Sequence, residues 1–298
     1  MTSTWRSVKK SWSLYLCLLP FLAVFFTFSV LPVLRSVYYS FTYNNIVSPP
    51  VFNGLANYKN LFLHDDVFVK ACINTVVFAA ITGVVGYMAS LLLAWLINDF
   101  GRVLRTVLVI VFYMPSISGQ LYMVWMLIFS GDSLGYANSF LTRMGFLREP
   151  VQWLTDPKYM MGVIIAAALW MSLAAGFLAF IAGLQGVDRE LYEAGSLDGI
   201  RNRFQELWFI TLPAIRPQLM FGAVMSITSS FAASDIMMNL AGFPSTDYAA
   251  HTLVTHLQDY GFLRFDMGYA CAIATVLFVV MVTVNKLVQR LLKGVGQV

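Results

Sequence analysis

Long apolar blocks divide the chain, and the polar residues gather between them. A helix needs about 20 predominantly apolar residues to cross about 30 Å of hydrocarbon. Six stretches qualify, at 14–34, 73–97, 106–129, 161–184, 217–240 and 268–285. Five of them contain no Asp, Glu, Lys or Arg, and the fifth along the chain contains a single one, Asp235. The pattern predicts an all-α polytopic membrane protein with six transmembrane helices in one domain over 1–298. The first block follows Arg6, Lys9 and Lys10, as a signal peptide would. It is longer than a typical signal core, and no small-x-small cleavage pattern closes it, so it reads as a span.

Composition agrees. Of 298 residues, 59% are hydrophobic and 11% charged, with a mean hydropathy of +0.72. Soluble domains carry about 25% charged residues, so a water-soluble enzyme, a disordered chain or a disulfide scaffold does not fit. Charge placement gives the sidedness. Twelve Lys and Arg fall in the N-terminus, the second loop, the fourth loop and the tail, against seven in the other three loops. Lys and Arg accumulate on the cytoplasmic side, which predicts both termini in the cytoplasm. The net charge of +4 then needs no nucleic-acid partner. Cys17, Cys72 and Cys271 read as small buried residues. His64, His251 and His256 fall in outer loops, with His251 and His256 five apart, a poor ligand spacing on one helix face; no metal site is expected.

No phosphate-cradling GxxxxGK[ST] occurs, so the chain itself should bind no nucleotide through a P-loop. HExxH, GxSxG and a TVGYG-like filter are also missing, and no span pairs two carboxylates or a Ser with a His. Transport, channel or scaffold roles remain.

One cytoplasmic loop, 187–216, breaks the pattern of short connections. Asp188 can cap a helix with Glu190 in its first turn, and Leu191, Ala194 and Leu197 recur as an apolar stripe. Asp198-Gly199 reads as the helix end, since glycine enters the left-handed region at low cost. A second helical stretch is expected over 201–209, with Phe204, Leu207 and Trp208 on one side, stopped by Pro213 before Pro217 opens the next span. Surface anchoring and docking of a soluble partner both fit these two amphipathic helices.

Residue order points to docking. Glu193-Ala194-Gly195 … Gly199 … Ile210-Thr211-Leu212-Pro213 resembles the EAA loop, E-A-A-x3-G-x9-I-x-L-P, of ABC importer permeases. Gly195 replaces the second Ala, and ten residues rather than nine separate Gly199 from Ile210. Leu19-Pro20-Phe21, Gly54-Leu55-x-Asn57-Tyr58, Asn74-Thr75, Trp153-Leu154-Thr155-Asp156-Pro157 and Ala182-Gly183-Leu184-Gln185 resemble, in the same order, the carbohydrate-uptake permeases related to the maltose transporter, of the MalF type. The resemblance implies a type I ABC importer permease fold with two short cytoplasmic coupling helices, in a bacterial or archaeal cytoplasmic membrane. It implies partnership with a second six-span, MalG-like permease, a homodimer of ABC ATPase subunits that holds ATP and Mg, and an extracytoplasmic sugar-binding protein. No catalytic residue or cofactor is expected in this chain. By resemblance, Glu193, Ala194, Gly195, Asp198 and Gly199 form the ATPase-coupling element, with Glu193 in a polar contact and Gly199 at the turn.

For the substrate path, Ser226, Ser229 and Ser230 share one side of the fifth span. Asp235 and Asn239 fall roughly opposite if that helix is regular. Span hydroxyls can face a wet path or bond their own i−4 carbonyls, and Asp235 can meet sugar or brace a helix against the partner permease. Trp170 and Ser172 in the fourth span, and Gln120 and Tyr122 after the Pro115–Gly119 break in the third, complete the candidates. Asn57, Asp65, Asp66 and Asp259 in outer loops could meet a binding protein, but read first as solvated loop residues. A di- or oligosaccharide is the expected cargo, with glycerol phosphate or a polyol as neighbours in the family. A stand-alone carrier or channel, or a membrane scaffold, remains as a competing class; no inverted repeat of the carrier kind is evident.

Overall fold

A computed structural model describes residues 12–118, 121–173 and 175–293. It divides into two units, one of residues up to 64 with 260–276, the other of 65–259 with 277 onward.

In the first unit, α1 (Trp12–Phe25) and α2 (Leu31–Tyr39) are joined by a π turn over Phe26–Val30. The wide turn directly precedes Pro32, whose ring lacks an N–H and crowds the carbonyl four residues back. Leu16–Tyr39 is long and apolar enough to cross a membrane, and Phe21 and Phe28 are exposed on its surface. A two-residue hairpin follows, β1 (Thr42–Tyr43) antiparallel to β2 (Val51–Phe52), with Thr42 opposite Phe52. Then comes α3 (Ala56–Leu63). Asn57 is buried rather than solvated. Its amide donates to the carbonyls of Ser40 and Thr42, both at 2.9 Å, and so pins α3 to the end of α2 and the hairpin. Gly268 also belongs here; a Cβ would fall 2.2 Å from the Thr42 carbonyl, so only glycine admits that approach.

The second unit is built around α4 (Asp66–Asn98), whose N-cap Asp65 accepts from the Phe68 amide. It continues through α5 (Arg102–Ile117), α6 (Tyr122–Ile128), α7 (Tyr136–Arg143), α8 (Pro157–Trp170) and α9 (Ala175–Gln185). After α10 (Arg189–Leu197) and α11 (Arg203–Glu206) come a π turn over Leu207–Thr211 and α12 (Leu212–Ala214). The remaining helices are α13 (Arg216–Phe231), α14 (Asp235–Ala241), α15 (Leu253–Gln258) and α16 (Met267–Lys293), which gives its first turns to the other unit.

Helices α4, α9 and α13 pack on one another through small residues, as membrane helices do when van der Waals contact rather than water exclusion drives association. A Cβ on Gly176 would meet the Cα of Gly222 at 3.5 Å, and one on Gly222 would strike the Phe180 ring at 2.5 Å. Tyr87, Trp95, Phe177, Phe180, Leu184 and Leu219 fill the core between them. A second apolar cluster, with Phe78, Met160, Ile164 and Met237, lies among α4, α8 and α14.

Three of the expected spans are interrupted. The fourth, 161–184, stops at Trp170 and resumes at Ala175; the fifth, 217–240, stops at Phe231 and resumes at Asp235; the third breaks after Ile117. Just past the first break the Ser172 hydroxyl bonds the Leu169 carbonyl at 2.7 Å, and at the second Ser234 leaves the helical region at the N-cap of α14. Among the described residues three helices are long and apolar enough to span, or five when each of two bent pairs is counted as one.

Asp65 and Asp259, expected as solvated, are buried instead, while Asp66 is exposed. Asp65 has 7% of its side chain accessible and lies 2.9 Å from His256 Nε2, and His256 Nδ1 stands 3.3 Å from His251 Nε2. Asn74 donates to the carbonyls of Tyr248 and His251, and the Thr75 hydroxyl accepts from the Leu253 amide at 2.8 Å. The N-terminal end of α4 is thus bonded to the segment 248–256. The five-residue spacing that argued against ligation brings the two imidazoles together because Thr252 caps α15 between them.

Candidate functional site

A cavity of about 310 Å³ opens among α4, α8, α9 and α13. From α4 it is lined by Phe78, Thr82, Gly86, Tyr87 and Ser90, and from α13 by Gly222, Met225, Ser226, Ser229 and Ser230. Ser116, Tyr122, Met171, Ser172, Gly176 and Phe180 also face it, and no Asp, Glu, Lys or Arg does among the described residues.

Seven hydroxyls of this wall, all but those of Ser230 and Tyr122, donate their protons within the chain. Thr82 donates to the Phe78 carbonyl at 2.7 Å and stands 3.3 Å from the Ser230 hydroxyl. Ser90 donates to Gly86, Ser172 to Leu169 and Ser116 to Tyr113, each at 2.7–2.8 Å. Ser226 donates across to the Gly83 carbonyl at 2.9 Å, Ser229 back to Ser226, and Tyr87 to the Leu219 carbonyl at 3.2 Å. A hydroxyl has one proton and two lone pairs, so a wall of this kind presents acceptors. Ser226 and Ser229 bond backbone carbonyls and also line the cavity. Aromatic rings from Phe78, Tyr87, Tyr122 and Phe180 supply flat apolar faces beside them.

Ser226, Ser229, Ser230, Ser172 and Tyr122 therefore converge on one cavity. Asp235 and Asn239 do not line it. The break after Phe231 removes the regular helix on which their facing was reckoned, and they sit exposed on the first turns of α14, where Asn239 donates to the Asp235 carbonyl at 2.7 Å. Trp170 turns away to an apolar groove with Pro115 and Leu173 and meets Trp125 edge-on at 5.8 Å between centroids. Gln120 lies outside the described residues. The α4 wall was missed by sequence reasoning. Its signal is the spacing Thr82, Gly86, Ser90, small or hydroxyl side chains at i, i+4 and i+8 on one helix face.

The charged loop 187–216 lies at the other end of α9. Helix α10 carries Glu193 and Ala194 on its exposed side. It ends at Asp198, and Gly199 takes φ +94° in open space. Leu197 is 90% exposed. Gly195 is buried, and a Cβ there would stand 2.5 Å from Ile210 Cδ1 and 3.2 Å from Ile200 Cδ1. Tyr192 and Thr211 share a hydrogen bond at 3.0 Å. The second helical stretch starts two residues later than expected, because the Asn202 side chain caps it by accepting from the Gln205 amide at 2.8 Å. From Leu207 to Thr211 it widens into the π turn, which bonds i to i+5 and so holds one more residue than an α turn. Ile210, the residue that packs on Gly195, lies within this turn. Arg203–Ala214 then meets α13 at 81° across Ile215.

Interrupted apolar helices thus surround an uncharged, hydroxyl-walled cavity, with a structured amphipathic loop at one end of α9. Residues 86–296 match the family described as binding-protein-dependent transport system inner membrane component, and the chain belongs to that family. It is similar to the arabinooligosaccharides transport system permease protein AraP of Bacillus subtilis (strain 168), 30% identical over 99% of this chain and 94% of the relative. It is also similar to the lactose transport system permease protein LacF of Rhizobium radiobacter, 27% identical over 97% of each. In fold it matches a chain of a bacterial ABC transporter that imports the acidic polysaccharide alginate, with a TM-score of 0.79 at 23% identity over 98% of both chains.

Proposed function

We propose that this chain forms one half of the pathway of an ATP-driven importer for a neutral di- or oligosaccharide. The cavity chemistry carries the reading. Its hydroxyl wall offers acceptors to a ligand rich in O–H donors, its rings match the apolar faces of pyranoses, and it has no cation to recognise a phosphate. The last point favours a neutral sugar over glycerol phosphate, although the sn-glycerol-3-phosphate permease protein UgpA of Agrobacterium fabrum (strain C58 / ATCC 33970) is a relative at 28% identity over 78% of each chain.

In this reading both termini and the 187–216 loop are cytoplasmic. A second permease closes the side of the cavity on which Ser229 is exposed, and an extracytoplasmic binding protein delivers the sugar. Glu193, Ala194, Gly195, Asp198 and Gly199 present α10 to a cleft of an ABC ATPase, where ATP and Mg are held. The exposed Glu193 carboxylate is available for pairing with a basic side chain, and the left-handed Gly199 turn returns the chain to the membrane within a few residues. Support comes from the exposed apolar residues Leu197, Phe204 and Trp208 on this loop, a surface that a partner would cover.

The test is uptake into proteoliposomes carrying the chain with its partner permease, ATPase and binding protein. Arabino-oligosaccharides, lactose and glycerol 3-phosphate serve as labelled probes. Uptake of a neutral sugar that needs ATP, is blocked by vanadate and survives an uncoupler is expected. Uncoupler-sensitive, vanadate-resistant uptake would identify a carrier instead, and uptake of glycerol 3-phosphate alone would overturn the neutral-sugar assignment.

A further inference from the structure

We propose that the C-terminal end of α4 is the arm through which the coupling loop moves the cavity, gripped by Asp99, Arg203, Trp95 and Phe204. The inference rests on the coupling role proposed above and adds the route of the force.

The grip has three contacts on two neighbouring residues of α11. Arg203 pairs with Asp99, the residue that ends α4. Its guanidinium also lies 4.9 Å over the Trp95 ring, and the Phe204 ring stands 5.5 Å from that same indole. On the α4 side the anchor is stiff, because Ala94, Trp95 and Ile97 are buried in the core with Phe180 and Leu184. Arg105 of α5 ties the same end by donating to the Asn98 carbonyl at 3.2 Å. On the loop side, Gly195 against Ile210 and Tyr192 bonded to Thr211 fix α10 to the turn that follows α11. A displacement of α10 is therefore handed through packed and bonded groups to α4, a contiguous network of the kind that carries coupling.

Helix α4 then reaches the cavity without a break. Ser90 lies five residues before Trp95, about 7.5 Å along the axis, and Gly86 and Thr82 follow on the same face. Of the other routes, the chain into α13 passes the 81° corner at Ile215, and α9 joins α10 only through the non-helical residues 186–188.

The ion pair contributes little to folding. Its side chains are 49% and 47% exposed, and pairs so placed stabilise weakly. Exchange of the charges should therefore alter coupling in a protein that still assembles.

The complete transporter, in proteoliposomes, is assayed for binding-protein-stimulated ATP hydrolysis and for sugar uptake in the same vesicles. Asp99→Lys and Arg203→Glu should each keep hydrolysis and lower sugar moved per ATP by about tenfold, and the exchanged pair Asp99→Arg with Arg203→Asp should regain most of it. A merely structural contact would lower both rates together and leave their ratio fixed. An unchanged ratio in both single variants would overturn the proposal. As a second measurement, Asp99→Cys and Arg203→Cys, with the three native cysteines replaced, are joined by a short bifunctional maleimide. Uptake should persist, since the grip stays closed through the cycle; hydrolysis without uptake after joining would show that the two residues must part, and would also overturn it. If the unaltered transporter fails to couple ATP to uptake, the proposed function fails, and not the arm.

Discussion

The two ends of α4 both meet polar segments, but they are built in opposite ways. At the N-terminal end, Asp65, His256 and His251 lie in one buried hydrogen-bonded row, with Asn74 and Thr75 bonding the neighbouring backbone. At the C-terminal end, Asp99 and Arg203 are half in water, and Phe204, Trp208 and Phe209 are exposed beside them. Buried polar groups must be satisfied internally, so the first end is complete within the chain. Large apolar side chains left outside a charged loop instead mark an interaction surface, the one proposed above for the ATPase. One end is closed by the chain itself, and the other leaves charged and apolar groups in the open.

This contrast can be broken at either end. The largest effect is expected at the closed end. Asp65→Ala removes the cap of α4 and leaves the buried His256 ring without its carboxylate, a loss of about 2–5 kcal/mol. The detergent-purified chain should melt at a clearly lower temperature and accumulate less in membranes; an unchanged melting curve would show that the row does not brace α4. A smaller loss is expected in the loop itself. Gly195→Ala restores the residue usual in the EAA pattern, yet its Cβ must push Ile210 aside, at about 1 kcal/mol. Limited proteolysis of the loop should then proceed faster, and equal cleavage rates would count against the tight fit. The smallest is at the open end. Arg203→Gln should shift stability by less than about 1 kcal/mol, read as a melting temperature close to that of the parent, even as transport coupling falls. A large drop in melting temperature there would erase the difference between the ends.

Much of the design was legible in residue order. The hydroxyls on α13 could be grouped because Ser226, Ser229 and Ser230 follow helical spacing, and Gly199 could be assigned to a turn because Asp198-Gly199 ends an apolar stripe. The breaks were not legible. The helices stop at Trp170 and Phe231, and neither residue sits beside a glycine or proline that would have announced it. The row at the N-terminal end of α4 was hidden for another reason, since 191 positions separate Asp65 from His256 and no periodicity links residues so far apart. Asp235 drew attention as the lone charge in a span, but the break that precedes it changes which way it faces. On α4 the cavity wall was spelled in the sequence as Thr82, Gly86 and Ser90, and was masked by the uniform hydrophobicity around it.

The π turn at Leu207–Thr211 changes how the loop's two departures from the family pattern should be understood. Ile210, within that turn, fills the space above position 195, so the two departures from the pattern meet at one contact in the fold. Their effects should show sign epistasis. Alanine at 195 is a burden with the longer turn and an asset once a residue is deleted from it, so a double-mutant cycle across the pair will not sum.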